Sequence, residues 1–491
     1  MTTHRTDRAG RRGLGRYCWW LAGLALLTGS QTSPGQVGGC TPKDADSSRY
    51  RVLTRQLLCD TAGEITHHPL RAGATVLHDK AGWFGSVGRG LIGKRIAMHL
   101  HRTPSTMPGC PVDLDPALVE TDLQPASVRL YRDGGEALAV LEKMIDSAAC
   151  RIDVLMYLWE DDAVGWSLAR HLAAGAGPDR RVRILIDGGA NLIFVPSPTD
   201  ESPAGQRYPV STQQRSVTAG QANRVVCWLA QQPYIELVRI RNPFGHFDHR
   251  KLVLIDGQAA WAGGRNFSYP SFFVRHDVSF TMEGPLVSEW QVGFERYWRG
   301  QGGSPACIEE NTPPFAANAA GRLVENTPTQ HGLRHALYHA IDHARSFVWL
   351  ENPYLCDNGV ITKLARARRR GVDARVVLTI QSDSDSINRT NRVTANRLLA
   401  AGVRVYLYPG RIHTKAAEVD GCWAYLGSGN FDLLSLRRNH ELGVVFGPGP
   451  IVAELDGILF QPDFNPAWEL REPLPLTIHD YTAEMLAAFF L

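Results

Sequence analysis

From residue 127 onward, short apolar runs alternate with segments whose apolar residues recur every three or four positions. Residues 128–131, 152–159 and 181–187 read as strands, and 134–148 and 166–174 as helices with one apolar face. The same order returns further along, where helices over 333–344 and 361–369 alternate with strands over 347–350 and 374–379. Such alternation predicts an α/β fold in which helices cover a sheet.

Two further apolar runs carry polar residues at fixed places. Leu252-Val253-Leu254-Ile255 reads as a buried strand, and Asp256-Gly257 supplies a tight turn into a second strand through Ala260-Trp261-Ala262. The device recurs at Asp420-Gly421, which leads into a strand over 423–426. The register around both turns is duplicated. His249-Arg250-Lys251 with Asp256 becomes His413-Thr414-Lys415 with Asp420, 164 residues later. Gly263 and Gly427, Asn266 and Asn430, Phe267 and Phe431, and His276 and His440 keep that offset, and Asp277 is matched by Glu441. Ten of the 29 positions from His249 to Asp277 are identical, where unrelated segments give about two. One His-x-Lys carries almost no information. A pair in register implies chemistry that needs two of each group.

Phosphodiester transfer is such a chemistry. A neutral imidazole can attack phosphorus while a second, protonated one donates to the departing alkoxide. Side chains alternate along a strand, so His249 and Lys251 project together, as do His413 and Lys415. The lysine ammoniums offset charge on the non-bridging oxygens, and Asn266 and Asn430, in Gly-Gly-Arg-Asn and Gly-Ser-Gly-Asn turns, offer amides to them. Asp277 and Glu441 suit the task of accepting a ring N–H and so fixing a histidine tautomer. Asp256 and Asp420 fall in the turns and are assigned structural roles. The set is complete without a metal or cofactor. His246 and His249 lack a third ligand nearby, and His67-His68 and His99-Leu100-His101 read as solvated or structural.

The halves differ upstream of the repeat. Gly165 to His249 spans 84 residues and Gly359 to His413 only 54; the excess coincides with a Pro/Ser/Gln-rich stretch over 197–222, read as a long loop. A linker over 300–314 divides the halves, giving a first lobe at 126–305 and a second at 306–491. Residues 46–125 read as an N-terminal extension, either loosely folded or an interfacial membrane contact. Residues 1–45 have the pattern of a signal or anchor segment: Arg5, Arg8, Arg11, Arg12 and Arg16 precede an apolar run over 17–27. Val37-Gly38-Gly39-Cys40 makes Cys40 a possible lipidation site. That pattern implies an exported or membrane-associated protein of the bacterial cell envelope, where the remaining cysteines are free to pair. The 491-residue chain carries a net charge of only +3, so no large basic field marks a nucleic-acid groove and no stable nucleic-acid partner is expected.

At these residues the chain resembles the phospholipase D superfamily, marked by a duplicated H-x-K-x4-D motif followed by G-[GS]-x-N. The resemblance implies two similar α/β/α sandwich lobes packed around one shared active site. It also implies a two-step reaction through a covalent phosphohistidine, with His249 as nucleophile and His413 as general acid/base. The motifs are most similar to those of bacterial cardiolipin synthases, as are Val154 to Asp162 (VLMYLWEDD), Glu351-Asn352-Pro353-Tyr354 and Arg438-Asn439-His440-Glu441. That likeness implies a phosphatidylglycerol-type phospholipid substrate at a membrane surface, with cardiolipin and glycerol as products. Hydrolysis by a phospholipase D, an exported nuclease of the same superfamily, and a catalytically silent envelope-binding lipoprotein are the alternatives. Oligomeric state, head group and acceptor alcohol are left open by these residues.

Overall fold

The computed structural model describes residues 42–79, 123–191, 223–304, 314–382 and 384–490. Cys40, the apolar run over 17–27, and the loop over 197–222 lie outside these residues. The first half contributes β1 (Gln124–Tyr131), β2 (Arg151–Met156), β3 (Arg181–Asp187), β4 (Ile235–Ile240), β5 (Lys251–Ile255), β6 (Ala259–Gly263), the short β7 (Arg275–His276) and β8 (Ser279–Glu283). The second contributes β9 (Ala319–Asn326), β10 (Phe347–Glu351), β11 (Asp373–Leu378), β12 (Arg404–Leu407), the short β13 (Arg411–Ile412), β14 (Ala416–Val419), β15 (Trp423–Gly427) and β16 (Glu441–Phe446).

Fourteen of these strands form one sheet, in the order β12-β11-β10-β14-β15-β16-β9-β1-β8-β6-β5-β2-β3-β4. Reading outward from the β1–β9 junction, both halves repeat the same sequence of strands, so the duplication in sequence is a duplication in topology. The outer three strands of each half pair in parallel and the inner ones antiparallel. Parallel strands need crossovers, and the predicted helices supply them. These are Gly134–Ser147, Ala163–Gly175, Gly332–His343 and Asn358–Arg369, within a few residues of the ranges read from the pattern. One apolar core lies beneath each half, around Trp261 and Trp423, and a third joins Phe280 and Trp290 to Phe446 across the junction.

The Asp-Gly turns have both residues at positive φ: 54° and 71° at Asp256-Gly257, 54° and 68° at Asp420-Gly421. That is the type I′ geometry that suits a two-residue hairpin. Each aspartate also reaches across to the strand beside its hairpin. Asp256 accepts the backbone N–H groups of Ala149, Cys150 and Arg151 at 2.7, 2.9 and 2.7 Å. Asp420 accepts those of Arg345, Ser346 and Phe347 at 2.8, 2.8 and 2.7 Å. The motif acids therefore hold the start of β2 and β10 against β5 and β14.

The described part of the extension, residues 46–79, differs from the loosely folded reading. Helix α1 (Pro42–His67) begins before residue 46, residues 69–79 are also helical, and both are docked on the first half rather than loose. Buried Asp60 is the anchor, bridging to Arg239 at 2.8 and 3.0 Å. No helix among the described residues is long and apolar enough to cross a membrane. Cys59, Cys227 and Cys356 are free thiols, Cys150 Sγ donates to Asp256 Oδ1 at 3.2 Å, and Cys422 is disulfide-bonded.

Candidate active site

The two halves exchange strands of backbone where the repeats end. His413 N donates to His276 O at 2.7 Å, and His249 N donates to His440 O at 2.9 Å. Each histidine is thereby tied to the residue just before the other half's acid. The side chains follow the same crossing. His249 Nδ1 donates to Glu441 at 3.0 and 3.1 Å, and His413 Nδ1 donates to Asp277 at 2.8 Å. With Nδ1 held as donor to a carboxylate, the free lone pair in each neutral ring is on Nε2. The sequence placed acid and histidine together; it carried no sign that the partners are exchanged between halves.

Lys251 and Lys415 are fully buried and donate back to the carbonyls of His249 and His413. Tyr157, at the end of β2, stands edge-on to the His249 ring at 4.5 Å, with Lys251 Nζ 4.9 Å from its centroid. Asn266 and Asn430 are held by the residue after each: Phe267 bridges to Trp159 and Phe431 to Leu355, which follow β2 and β10. The Oδ1 of both asparagines is buried with no hydrogen-bond partner among the described residues. Those oxygens only accept, so an anion's oxygens would instead be met by the Nδ2–H donors of each amide.

The two acids are supported differently. Glu441 also accepts from Ser428 Oγ at 2.5 Å, whereas the matching position beside Asp277 is Gly264. A Cβ there would lie 2.3 Å from Asp277 Oδ1. The shorter acid thus requires glycine and the longer one tolerates serine. Arg265, fully buried, fixes the Asp277 segment by donating to Asp277 O at 2.6 Å and Tyr131 O at 3.0 Å.

Electrostatically the site is poised for an anion. Burial, reinforced by Lys251 and Lys415 against the pull of Glu441, lowers His249 to about 4. His413 is driven down by burial and by Lys415. Burial, helped by Arg275 and against the pull of Asp277 and Glu441, brings Lys415 to about 7, and burial depresses Lys251 as well. Asp277, against the effect of burial, is held at about 2 by the His413 hydrogen bond and charge. Four nitrogenous groups crowd a dry space with two carboxylates. A phosphodiester monoanion in their midst favours the protonated form of every one of them.

Beside this site lies a buried ionic cluster that the sequence did not reveal. His276 Nε2 lies 2.6 Å from Asp463 and 3.2 Å from Glu351, while Arg132 pairs with Asp463 at 3.0 Å. Against the effect of burial, the two acids push His276 up to about 9, so the cluster is an imidazolium and a guanidinium facing two carboxyls. It braces the strand whose carbonyl receives His413. His246, read from sequence as half of an incomplete metal pair, instead bonds to Asp79 of the N-terminal helices at 3.0 Å.

A duplicated two-lobed α/β fold bearing paired His-Lys strands is the architecture of the phospholipase D superfamily. The family described as "Cardiolipin synthase, PLD-like domain" matches residues 141–298 and 337–460, and the chain belongs to it. It is therefore an enzyme of that superfamily. The chain is 25% identical to cardiolipin synthase A of Salmonella paratyphi A over 348 residues, covering 67% of this chain and 68% of the relative. Cardiolipin synthase A of Salmonella arizonae matches to the same extent. Among solved structures, phosphatidylserine synthase from Haemophilus influenzae Rd KW20 superposes with a TM-score of 0.59 at 12% identity, over 77% of this chain and 99% of that one. This last likeness concerns the fold alone.

Proposed function

We propose that the protein transfers a phosphatidyl group between alcohols through a covalent phosphohistidine, with phosphatidylglycerol as donor and as acceptor and with cardiolipin and glycerol as products. In the first step His249 Nε2 attacks phosphorus. The bond to the leaving glycerol oxygen breaks as His413 Nε2 gives that oxygen its proton. In the second step the acceptor hydroxyl gives its proton to His413 and attacks phosphorus, and the P–N bond breaks to return His249 neutral. Lys251, Lys415, Asn266 and Asn430 face the non-bridging oxygens, where charge grows in the transition state. Glu441 and Asp277 hold the tautomers, and Asp256 and Asp420 hold the strands.

The observation that supports this reading best is the crossing of the acids, His249 to Glu441 and His413 to Asp277. It gives each half a complete histidine–acid pair only in the presence of the other, as one phosphorus shared by two histidines requires. Family membership supports a phospholipid substrate. The export-like N-terminus, with Cys40 a lipidation candidate, supports a place at an envelope membrane surface. Exposed Leu70 and Leu77 on residues 69–79 suit such a surface.

The test is incubation of the full chain with phosphatidylglycerol vesicles in the presence of a chelator, followed by thin-layer chromatography. Cardiolipin and free glycerol are expected. Phosphatidic acid alone would assign a hydrolase, cleavage of DNA with no lipid turnover would assign a nuclease, and no lipid turnover of any kind would overturn the proposal.

A further inference from the structure

Outside the duplicated core, one face of α1 packs against residues that neighbour the candidate site. Leu53, Gln56, Leu57, Asp60 and Glu64 recur at helical spacing, and all but Leu53 are buried. Asp60 fastens this face through both nitrogens of Arg239 and through the N–H of Asn242. Thr61 Oγ adds a bond from Phe244 N at 2.8 Å. One turn earlier, Leu57 packs on Phe247, with Leu53, Tyr157 and Leu434 around them. These neighbours belong to the reacting centre. Tyr157 touches the His249 ring, Phe247 precedes His249 by two residues, and Leu434 comes from the second half shortly after Asn430.

Gln56 sits at the edge of this face, one residue before Leu57 and one turn before Asp60. It is 3% exposed, and neither its Oε1 nor its Nε2 has a hydrogen-bond partner among the described residues. The other polar groups of the face are paired: Asp60 with Arg239, Thr61 with Phe244, and Glu64 with Arg71 at 2.5 and 2.9 Å. A buried amide with both ends unpaired lowers stability, and a leucine like its neighbours would fill the space without that loss. Packing therefore gives no reason for glutamine here.

The chemistry of the amide narrows what it meets. It is uncharged, with donor and acceptor side by side, which matches a hydroxyl group better than a phosphate oxygen or an acyl chain. We infer that Gln56 is a specificity-determining residue, its amide hydrogen-bonding a hydroxyl of the polyol that leaves, or attacks, the phosphorus at His249. This rests on the phosphate-transfer reading and extends it to the class of alcohol. An alcohol without further hydroxyls leaves the buried amide unpaired and is disfavoured.

The test is calorimetric titration of the full chain with glycerol 3-phosphate and with n-propyl phosphate, which differ only in two hydroxyls. Wild type is expected to bind glycerol 3-phosphate about tenfold more tightly, the scale of one buried hydrogen bond. Gln56→Leu is expected to erase that gap, with an unchanged or raised Tm. If Gln56→Leu loses its thermal transition, Gln56→Met carries the same comparison. A gap that persists in the variant overturns the assignment. A wild type that binds both ligands equally also overturns it while leaving the phosphate site standing. A wild type that binds neither removes the phosphate site and this inference with it.

Discussion

Asp277→Asn is expected to disable a histidine in the other half of the molecule. The carboxyl lies 2.8 Å from His413 Nδ1, fully inside the protein. Burial alone would raise its pKa, yet the His413 bond and charge, with Lys415 and Arg265 behind them, hold it at about 2 against an ordinary 3.8. At 1.36 kcal/mol per unit this is about 2 kcal/mol in favour of the ionised acid. Because the folded pKa is depressed, that contribution is full above pH about 4 and is lost as pH falls toward 2. At pH 7 the asparagine variant forfeits all of it and can present its NH2 to the ring, favouring the wrong tautomer. Together these effects are expected to reduce steady turnover by about 10²–10⁴-fold.

A phosphatidyl ester of p-nitrophenol separates the steps, because that leaving group needs no general acid. Asp277→Asn should retain a first-turnover burst of nitrophenol and lose the slow phase, whereas Glu441→Gln should lose the burst. The pairing itself is decided by double-mutant cycles. Asp277→Asn combined with His413→Ala should be no worse than His413→Ala alone. Asp277 coupling to His249 and not to His413 would refute the crossed arrangement. Crossed coupling with the burst pattern exchanged would leave the pairing intact and reverse the order of the two histidines.

Three further outcomes follow from the same geometry. Binding of dimethyl phosphate at pH 8 should take up a substantial fraction of a proton, since an anion raises Lys415 above its value of about 7. Calorimetry in buffers of different ionisation enthalpy reads this directly, and zero or negative uptake would contradict it. Asp256→Asn and Asp420→Asn keep a residue tolerant of positive φ but weaken three bonds to backbone N–H groups. Each should lower unfolding free energy by about 1–2 kcal/mol in urea titrations; collapsed kcat with unchanged stability would move these acids into the chemistry. Gly264→Ala places a Cβ 2.3 Å from Asp277 Oδ1 and should cut kcat more than tenfold, whereas the matching Ser428→Ala removes the hydroxyl's bonds to Glu441 and to the Leu442 backbone, adds no bulk against the acid, and should cut it less. Equal effects would mean that Asp277 moves aside freely.

What was legible in the sequence is what repeats or alternates. Buried strands such as Lys251–Ile255 and crossover helices such as Gly134–Ser147 follow from local periodicity. The His, Lys and Asn positions follow from register. The exchange of Asp277 and Glu441 was not legible, because spacing within a half says nothing about which half's histidine an acid meets. Residues 42–79 were missed for another reason. Their docking depends on long-range contacts, among them Asp60 to Arg239 and Asp79 to His246, whose partners cannot be read from local periodicity. The cluster of His276, Glu351 and Asp463 draws one residue from each of three distant segments and was hidden in the same way.

The central claim is that phosphorus changes partners twice, once onto His249 and once off it. Its most direct test is the configuration at phosphorus when one diastereomer of a phosphorothioate analogue of phosphatidylglycerol is transferred to an alcohol, followed by ³¹P NMR of the product. Two in-line displacements predict net retention. Net inversion would mean a single displacement with no phosphohistidine and would contradict the account.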